Sequence, residues 1–242
     1  MQIYFIHKTY FRHLTIGLFK YIQLFLYVIV ISITPIYAQL DSPKSVADHI
    51  IAYPILSKER LSLTQEYAKR HYDINHYFLI SPKIIVIHYA ELPNLTITLR
   101  AAKKATLAVH RVRILPYGNL NTSSHFVIDQ DGQIYCLIPT TIMARHTMGF
   151  NHVAIGITNV GTNASDLTEK QVIANANLVN MLTHKHPSIE HIIGHLEYMN
   201  QSMPHYKYFK RADESLEPMI QIDPGWSFMR QLRALLDGSH SF

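Results

Sequence analysis

The stretch Ile84-Ile85-Val86-Ile87-His88-Tyr89 decides the fold of this chain. It follows Pro82 and consists almost entirely of apolar, mostly β-branched residues, without the alternation of a half-exposed strand. That pattern is typical of a strand buried on both faces, as found in sheets covered by helices on both sides. The stretch therefore predicts the central strand of an α/β domain, and a histidine stands at its end.

The segments that follow alternate between strand and helix patterns. Asp131-Gly132 between two apolar runs signals a hairpin, and Thr168 with Gln171 matches the capping box of a helix that Pro187 would stop. The order strand, helix, hairpin, strand, helix, strand, helix predicts one α/β domain with a central mixed sheet flanked by α-helices. The predicted ranges are a helix over 96–109, strands over 125–128, 133–138, 153–160 and 191–194, and a last helix from Trp226.

The first 38 residues differ from the rest of the chain. A basic start with Lys8, Arg12 and Lys20 precedes an apolar run over 21–33 and a small residue, Ala38. This pattern predicts a secretory signal peptide over 1–38, cleaved after Ala38, and hence a secreted or periplasmic protein. The alternative is an uncleaved membrane anchor, for which the run is short. The remaining divisions are a partly helical lead-in over 39–81 and the main domain over 82–237.

The charge of the chain gives little support for nucleic-acid binding. The 242 residues contain 48% hydrophobic and 16% charged residues, which is a globular composition, with a formal net charge of +5. Because residues 1–38 hold three basic side chains and no acidic one, their removal lowers that charge to +2. We therefore expect no nucleic-acid partner, and membrane contact only through an uncleaved signal segment.

Three residues from separate segments suggest a metal site. His88 and His195 each stand at the end of a predicted strand, where α/β proteins place reactive groups. Asp223 begins the turn Asp223-Pro224-Gly225 before the last helix. Two imidazoles and a carboxylate form a usual catalytic zinc set, which leaves the fourth position for water. The alternatives are core or strand-ending histidines and an aspartate that caps a helix.

Six fragments of the chain, in this order, resemble the zinc amidase family that includes bacterial N-acetylmuramoyl-L-alanine amidases, phage lysozyme-like amidases and peptidoglycan recognition proteins. The similarity spans roughly residues 82–237. The fragments are Ile85-Val86-Ile87-His88-Tyr89, residues 123–132, Ala144-Arg145-His146, Ala154-Ile155-Gly156-Ile157, Gly194-His195 and Asp223-Pro224-Gly225.

The resemblance implies a zinc site at the sheet rim with His88, His195 and Asp223 as ligands, and a substrate groove along it. It also implies the substrate and the reaction. Peptidoglycan or muropeptides would bind, and the amide between N-acetylmuramic acid and L-alanine would be hydrolysed. His146 falls on a histidine that lines the groove of the family and would contact substrate or the tetrahedral intermediate; the alternative is a histidine of a surface loop.

The chain departs from the family at three positions that bear on catalysis. Thr158 stands where bacterial enzymes have a glutamate as general base, and Ser124 stands where other branches have a tyrosine. Gln221 replaces a lysine that stabilises the oxyanion, and it could still donate a hydrogen bond. Glu197, close to His195 in sequence, is a candidate replacement for the base. Loss of a positioned base costs about a hundredfold to ten-thousandfold in rate.

Three functions are compatible with these residues. The first is a zinc amidase acting on peptidoglycan, and the second is a weak or inactive peptidoglycan-binding module on the same fold. The third is a zinc hydrolase of another amide, suggested only by the long aromatic-rich segment 196–222. The complete ligand set favours the first. We expect the 196–222 segment to pack onto the domain.

Overall fold

A six-stranded mixed sheet forms the centre of the fold in the computed structural model, which describes residues 40–212 and 217–239. The order across the sheet is β1-β4-β3-β5-β2-β6, and every neighbouring pair is parallel except the β3–β4 hairpin. The predicted signal peptide lies outside the described residues. The strands are β1 (Ile51–Ala52), β2 (Ile84–Tyr89), β3 (Phe126–Ile128), β4 (Ile134–Cys136), β5 (Ala154–Asn159) and β6 (His191–Gly194).

The apolar stretch Ile84–Tyr89 forms the strand β2, as predicted. All six of its residues are buried, and it lies between the parallel strands β5 and β6. Continuous burial explains its unbroken apolar sequence, because neither face of the strand meets water. The mixed α/β fold predicted from the sequence is thereby confirmed.

Five α-helices accompany this sheet in the described part of the chain. The terminal helices α1 and α5 both contact α4, which also contacts β3. Among the described residues, no helix is long and apolar enough to cross a membrane. The helices are α1 (Pro43–His49), α2 (Lys58–Tyr72), α3 (Leu95–Lys103), α4 (Glu169–Lys185) and α5 (Trp226–Ser239).

Two local predictions are confirmed by their hydrogen bonds. In the β3–β4 hairpin the Asp129 N–H donates to the Gln133 carbonyl at 2.9 Å, and Gly132 has a φ of 91°, which favours glycine. At the start of α4 the Gln171 N–H donates to Thr168 Oγ1 at 3.2 Å, and the Thr168 N–H donates to Gln171 Oε1 at 3.0 Å. These reciprocal bonds are the predicted capping box.

The predicted helix over 96–109 is wrong at its C-terminal end, because α3 ends at Lys103. The buried guanidinium of Arg60 in α2 donates to the carbonyl of Ala102 at 2.6 Å and to that of Lys104. Asn121 Nδ2 donates to the Lys104 carbonyl as well, at 2.9 Å. Since these side chains occupy the last carbonyls, the helix stops there and the chain turns away.

Residues 41–81 of the predicted lead-in belong to the same compact unit as the main domain. They supply α1, α2 and the edge strand β1, which pairs in parallel with β4. After β1 the Tyr53 N–H donates to the Cys136 carbonyl at 2.9 Å. The partly helical character predicted for this segment is present, and Arg60 shows that α2 also fixes the end of α3.

The aromatic-rich segment after β6 packs onto the domain, as expected. Tyr206 and Phe209 stack at 5.1 Å between ring centroids, and Phe209 meets the buried ring of Phe150 at 5.5 Å. A Cβ on Gly149 would lie 2.2 Å from the Phe209 ring, so glycine is required there for this contact. The part of the segment from Tyr198 to Phe209 therefore packs onto the hydrophobic core on that side of the sheet.

Candidate metal centre

A cavity of about 500 Å³ lies at the C-terminal ends of β2 and β6. Parallel neighbours end at the same edge of a sheet, and Ile87 stands opposite Gly194 in the register of these two strands. The next residues, His88 and His195, are consequently neighbours, with 4.4 Å between their ring centroids. Both histidines line the cavity.

Asp223 reaches the two histidines from a segment that follows residue 216. The Leu196 N–H donates to the Asp223 carbonyl at 2.8 Å, which joins this segment to the end of β6. Earlier in the segment, the Tyr198 hydroxyl donates to the Met219 carbonyl at 2.5 Å, and the Tyr117 hydroxyl donates to the Glu217 carbonyl at 2.7 Å. Tyrosines from two parts of the chain thus fix the approach to Asp223.

The donor atoms of these three residues converge. His88 Nδ1 lies 3.1 Å from Asp223 Oδ2, and His195 Nδ1 lies 3.0 Å from Asp223 Oδ1. One ligand atom from each residue lies within 4.8 Å of the others, so the group could hold a metal ion. A tetrahedral zinc ion with bonds of about 2.0 Å sets its ligand atoms about 3.3 Å apart. The donor set and its spacing fit zinc.

Burial and mutual contact favour the protonation states that a metal requires. Burial, with the nearby His195 ring, lowers the pKa of His88 to about 4, so its imidazole is neutral at pH 7. For Asp223, burial acts to raise the pKa, but the hydrogen bonds and charges of His195 and His88 outweigh it and the pKa is lowered. At neutral pH the site presents a neutral imidazole beside a carboxylate.

His146 joins the group from the side of β5. Its Nδ1 lies 3.2 Å from His88 Nε2, and its Nε2 lies 3.3 Å from the Ala154 carbonyl oxygen. Burial and the neighbouring His88 and His125 rings lower the pKa of His146 well below its ordinary value. The structure therefore places His146 in the cavity, in direct contact with His88.

The hydroxyl groups of Thr158 and Ser124 occupy the two positions at which the resemblance implies a general base. Thr158 stands opposite His88 in the β2–β5 register, and its Oγ1 lies 2.6 Å from Ser124 Oγ. Both residues line the cavity, as does Gln221. The three positions that depart from the family are thus gathered around the two histidines and Asp223, but a threonine or serine hydroxyl does not accept a proton at neutral pH.

Glu197 is not brought into the cavity. Its carboxylate is buried, and Oε2 accepts hydrogen bonds from the Gly194 N–H at 2.8 Å and from Arg233 Nη2 at 2.6 Å. It closes the turn between β6 and the short 3₁₀ helix His195–Glu197. These contacts hold the Glu197 carboxylate against the turn that leads from β6 into His195. In the described residues, the acidic side chains that line the cavity are Asp223 and Glu91, and sequence reasoning missed Glu91.

The cavity also has a basic wall. Its residues are exposed and come from the end of α3 and the loop that follows. Arg111 is oriented by a hydrogen bond from Nη1 to Thr122 Oγ1 at 2.8 Å. The sequence shows that basic residues are frequent after position 99. It does not show which of them face the cavity, because that depends on where α3 ends. The cavity-lining members are Arg100, Lys104, His110 and Arg111.

Comparison with known proteins gives one family. The sequence model described as N-acetylmuramoyl-L-alanine amidase matches residues 79–212, more than half of the chain. No curated protein matches the chain.

Several solved structures resemble the fold at low sequence identity. An AmpD derivative is 20% identical over 78% of this chain and 94% of its own, with a TM-score of 0.49. The endolysin LysCS from Clostridium intestinale is 23% identical over 54% of this chain and 84% of its own, with a TM-score of 0.38. Peptidoglycan recognition protein-LE, solved with tracheal cytotoxin, is 19% identical over 65% and 88%, with a TM-score of 0.43.

Proposed function

The chain belongs to the N-acetylmuramoyl-L-alanine amidase family, and from this premise we propose that it is a zinc amidase which hydrolyses the amide between N-acetylmuramic acid and L-alanine in peptidoglycan or muropeptides. The observation that carries the proposal is the convergence of His88, His195 and Asp223 in one cavity. In this proposal the predicted signal peptide directs the protein to the periplasm or the outside of the cell.

The three converging residues would hold zinc through the two Nδ1 atoms and the Asp223 carboxylate. When bound, zinc lowers the pKa of a coordinated water and polarises the carbonyl that is attacked. The neutral state of His88 and the ionised state of Asp223 leave their lone pairs free for this role at neutral pH. Asn159 Nδ2 donates to the His88 carbonyl at 3.0 Å and holds the backbone of this ligand at the strand end.

The remaining cavity residues would orient the substrate and the attacking water. Gln221 could donate an amide hydrogen bond to the developing oxyanion, without the charge of a lysine. The Ser124–Thr158 hydroxyl pair could orient water but not take its proton. The basic wall, with Arg100 and Arg111, suits the carboxylates of a stem peptide. A slow amidase is the expected result, because the usual base is replaced by hydroxyls.

The second candidate is a peptidoglycan-binding module that cuts negligibly. Thr158, Ser124 and Gln221 favour it, because each lacks the acid–base or charged group that resemblance to the family implies. The complete donor set of two imidazoles and one carboxylate favours the amidase, since binding alone does not require those three residues together.

The deciding experiment is cleavage of defined muropeptides by the purified protein supplied with zinc, followed by chromatography of the products. The amidase proposal expects separate sugar and peptide products that disappear on treatment with a chelator. Muropeptide binding without cleavage, with zinc bound, would establish the binding module. Cleavage at a different amide would point to the third function considered from the sequence.

The proton acceptor can be tested with two matched glutamate variants. We expect Glu197→Gln to keep the cleavage rate within about threefold, because the amide oxygen can still accept from Gly194, whereas the lost ion pair with Arg233 lowers the melting temperature. We expect Glu91→Gln to lower the rate by at least about tenfold if the cavity-lining carboxylate takes the proton. Initial rates and thermal melts of both variants would be compared. A larger rate loss in Glu197→Gln than in Glu91→Gln would identify Glu197, and not Glu91, as the residue that accepts the proton.

A further inference from the structure

We propose that His146 is a positioning residue, which acts by fixing the ring tautomer and orientation of His88 so that His88 Nδ1 faces the metal. The inference rests on the zinc site of the proposed function. It differs from the role implied by resemblance, in which His146 contacts the substrate itself. The two ring nitrogens of His146 contact His88 and the Ala154 carbonyl.

The two ring nitrogens of His88 face different partners. Its Nδ1 faces Asp223 Oδ2 at 3.1 Å, within the converging donor set, whereas its Nε2 faces His146 Nδ1 at 3.2 Å. A neutral imidazole that offers Nδ1 to a metal must carry its hydrogen on Nε2. That N–H needs an acceptor, and His146 Nδ1 is placed to accept it.

The tautomer of His146 is set by its contact with a backbone carbonyl. Its Nε2 lies 3.3 Å from the carbonyl oxygen of Ala154, which can only accept a hydrogen bond. The hydrogen of a neutral His146 ring therefore lies on Nε2, and the lone pair lies on Nδ1. A directed chain results: His146 Nε2–H donates to the Ala154 carbonyl, and His88 Nε2–H donates to His146 Nδ1.

The His146 ring packs directly against Gly156. A Cβ added to Gly156 of β5 would come within 2.7 Å of Cγ, 2.8 Å of Cδ2 and 2.8 Å of Nδ1 of His146. The φ of Gly156 is not positive, so the backbone does not demand glycine there. Glycine is needed because the imidazole packs directly on the strand, and any larger residue would push the ring away.

The backbone that carries His146 is held by hydrogen bonds to Asn151. Asn151 is completely buried, and its Oδ1 accepts from the His146 N–H at 2.9 Å and the Thr147 N–H at 2.7 Å. Asn151 Nδ2 donates to the Tyr67 hydroxyl at 3.1 Å. Thr147 Oγ1 lies 2.9 Å from His146 Nδ1 and 3.3 Å from His88 Nε2. The ring position is therefore fixed from the backbone, from the strand and from its polar partners.

Two variants of His146 distinguish the effect of its hydrogen bond with His88 from the effect of the volume of its ring. His146→Leu keeps an apolar group of similar size but removes the acceptor. His146→Asn can place an amide oxygen near the position of Nδ1. Zinc affinity would be measured by competition with a chromogenic chelator, and the ligand field by the visible spectrum of the cobalt-substituted protein. We expect His146→Leu to weaken zinc binding by about 10- to 100-fold with an altered cobalt spectrum, and His146→Asn to stay within about threefold of the unaltered protein.

Gly156→Ala provides an independent variant that leaves every polar group in place. We expect it to weaken zinc binding by about tenfold, because the added methyl group displaces the His146 ring. Gly161→Ala is the matched control, since its Cβ would meet only the flexible Leu167 side chain and part of the following loop. Thermal melts would verify that both variants are folded.

The outcomes distinguish this inference from the proposed function. An unaltered protein that binds no zinc would overturn the metal site itself, and with it the role of His146. Normal zinc binding by His146→Leu, or equal loss in His146→Leu and His146→Asn, would overturn only the inference, because the acceptor would then be irrelevant. Loss in His146→Leu and Gly156→Ala with retention in His146→Asn would support it.

Discussion

Thr158→Glu is expected to raise the rate of muropeptide cleavage by about a hundredfold to ten-thousandfold, which is the usual contribution of a positioned general base. Thr158 lies in β5 opposite His88, and its side chain faces the cavity. A carboxylate introduced there would sit beside the converging metal donors. Ser124 Oγ, now 2.6 Å from Thr158 Oγ1, could donate a hydrogen bond to it and hold its orientation.

The matched control is Thr158→Gln, which has nearly the same size and polarity but no basic oxygen. Initial rates for both variants would be compared with the unaltered protein at equal zinc occupancy. A rise in Thr158→Glu alone would identify this position as the missing base. Equal rates in all three proteins, with zinc bound and melting temperatures preserved, would show that Thr158 does not face the attacking water.

The parts of the fold that could be predicted are those whose sequence pattern is local. β2 is recognisable because both of its faces are buried, so every residue is apolar up to His88. The capping box of α4 requires only Thr168 and Gln171. The edge strand β1 has two residues, Ile51 and Ala52, and is defined by pairing with β4, so the sequence carries no pattern for it.

The end of α3 shows a different kind of failure. Helix formers continue beyond Lys103, but the carbonyls of Ala102 and Lys104 bind Arg60, which lies about forty residues earlier. A tertiary contact therefore ends the helix, and local propensity does not predict such contacts. Arg111 lies in the loop after this turn, so its place in the cavity wall does not follow from helix periodicity.

The part of the candidate site that could be predicted is the pair of histidines at strand ends. The sequence predicts that His88 and His195 stand at the ends of two strands, and the structure shows that these strands are adjacent and parallel. Nearness in sequence was a poor guide for Glu197, because the 3₁₀ turn after His195 points its carboxylate towards Arg233. The contact between His146 and His88 depends on the space above Gly156, which no spacing of residues reveals.

His195→Ala is expected to abolish both zinc binding and cleavage. His195 Nδ1 lies 3.0 Å from Asp223 Oδ1, and its loss leaves one imidazole and one carboxylate, too few protein ligands for a catalytic zinc site. Metal content after dialysis and muropeptide cleavage would be measured together. His184→Ala, an exposed histidine at the end of α4, is the matched control and should retain both properties.

Thermal stability gives the same test a readout that does not depend on catalysis. A ligand that binds only the folded protein adds about 2.7 kcal/mol to the free energy of unfolding at one hundred times its Kd. We expect zinc to raise the melting temperature of the unaltered protein and of His184→Ala, but not that of His195→Ala. Zinc stabilisation that persists in His195→Ala would place the metal elsewhere in the chain. In that case the close contact of His195 with Asp223 would be a buried hydrogen bond that supports the fold.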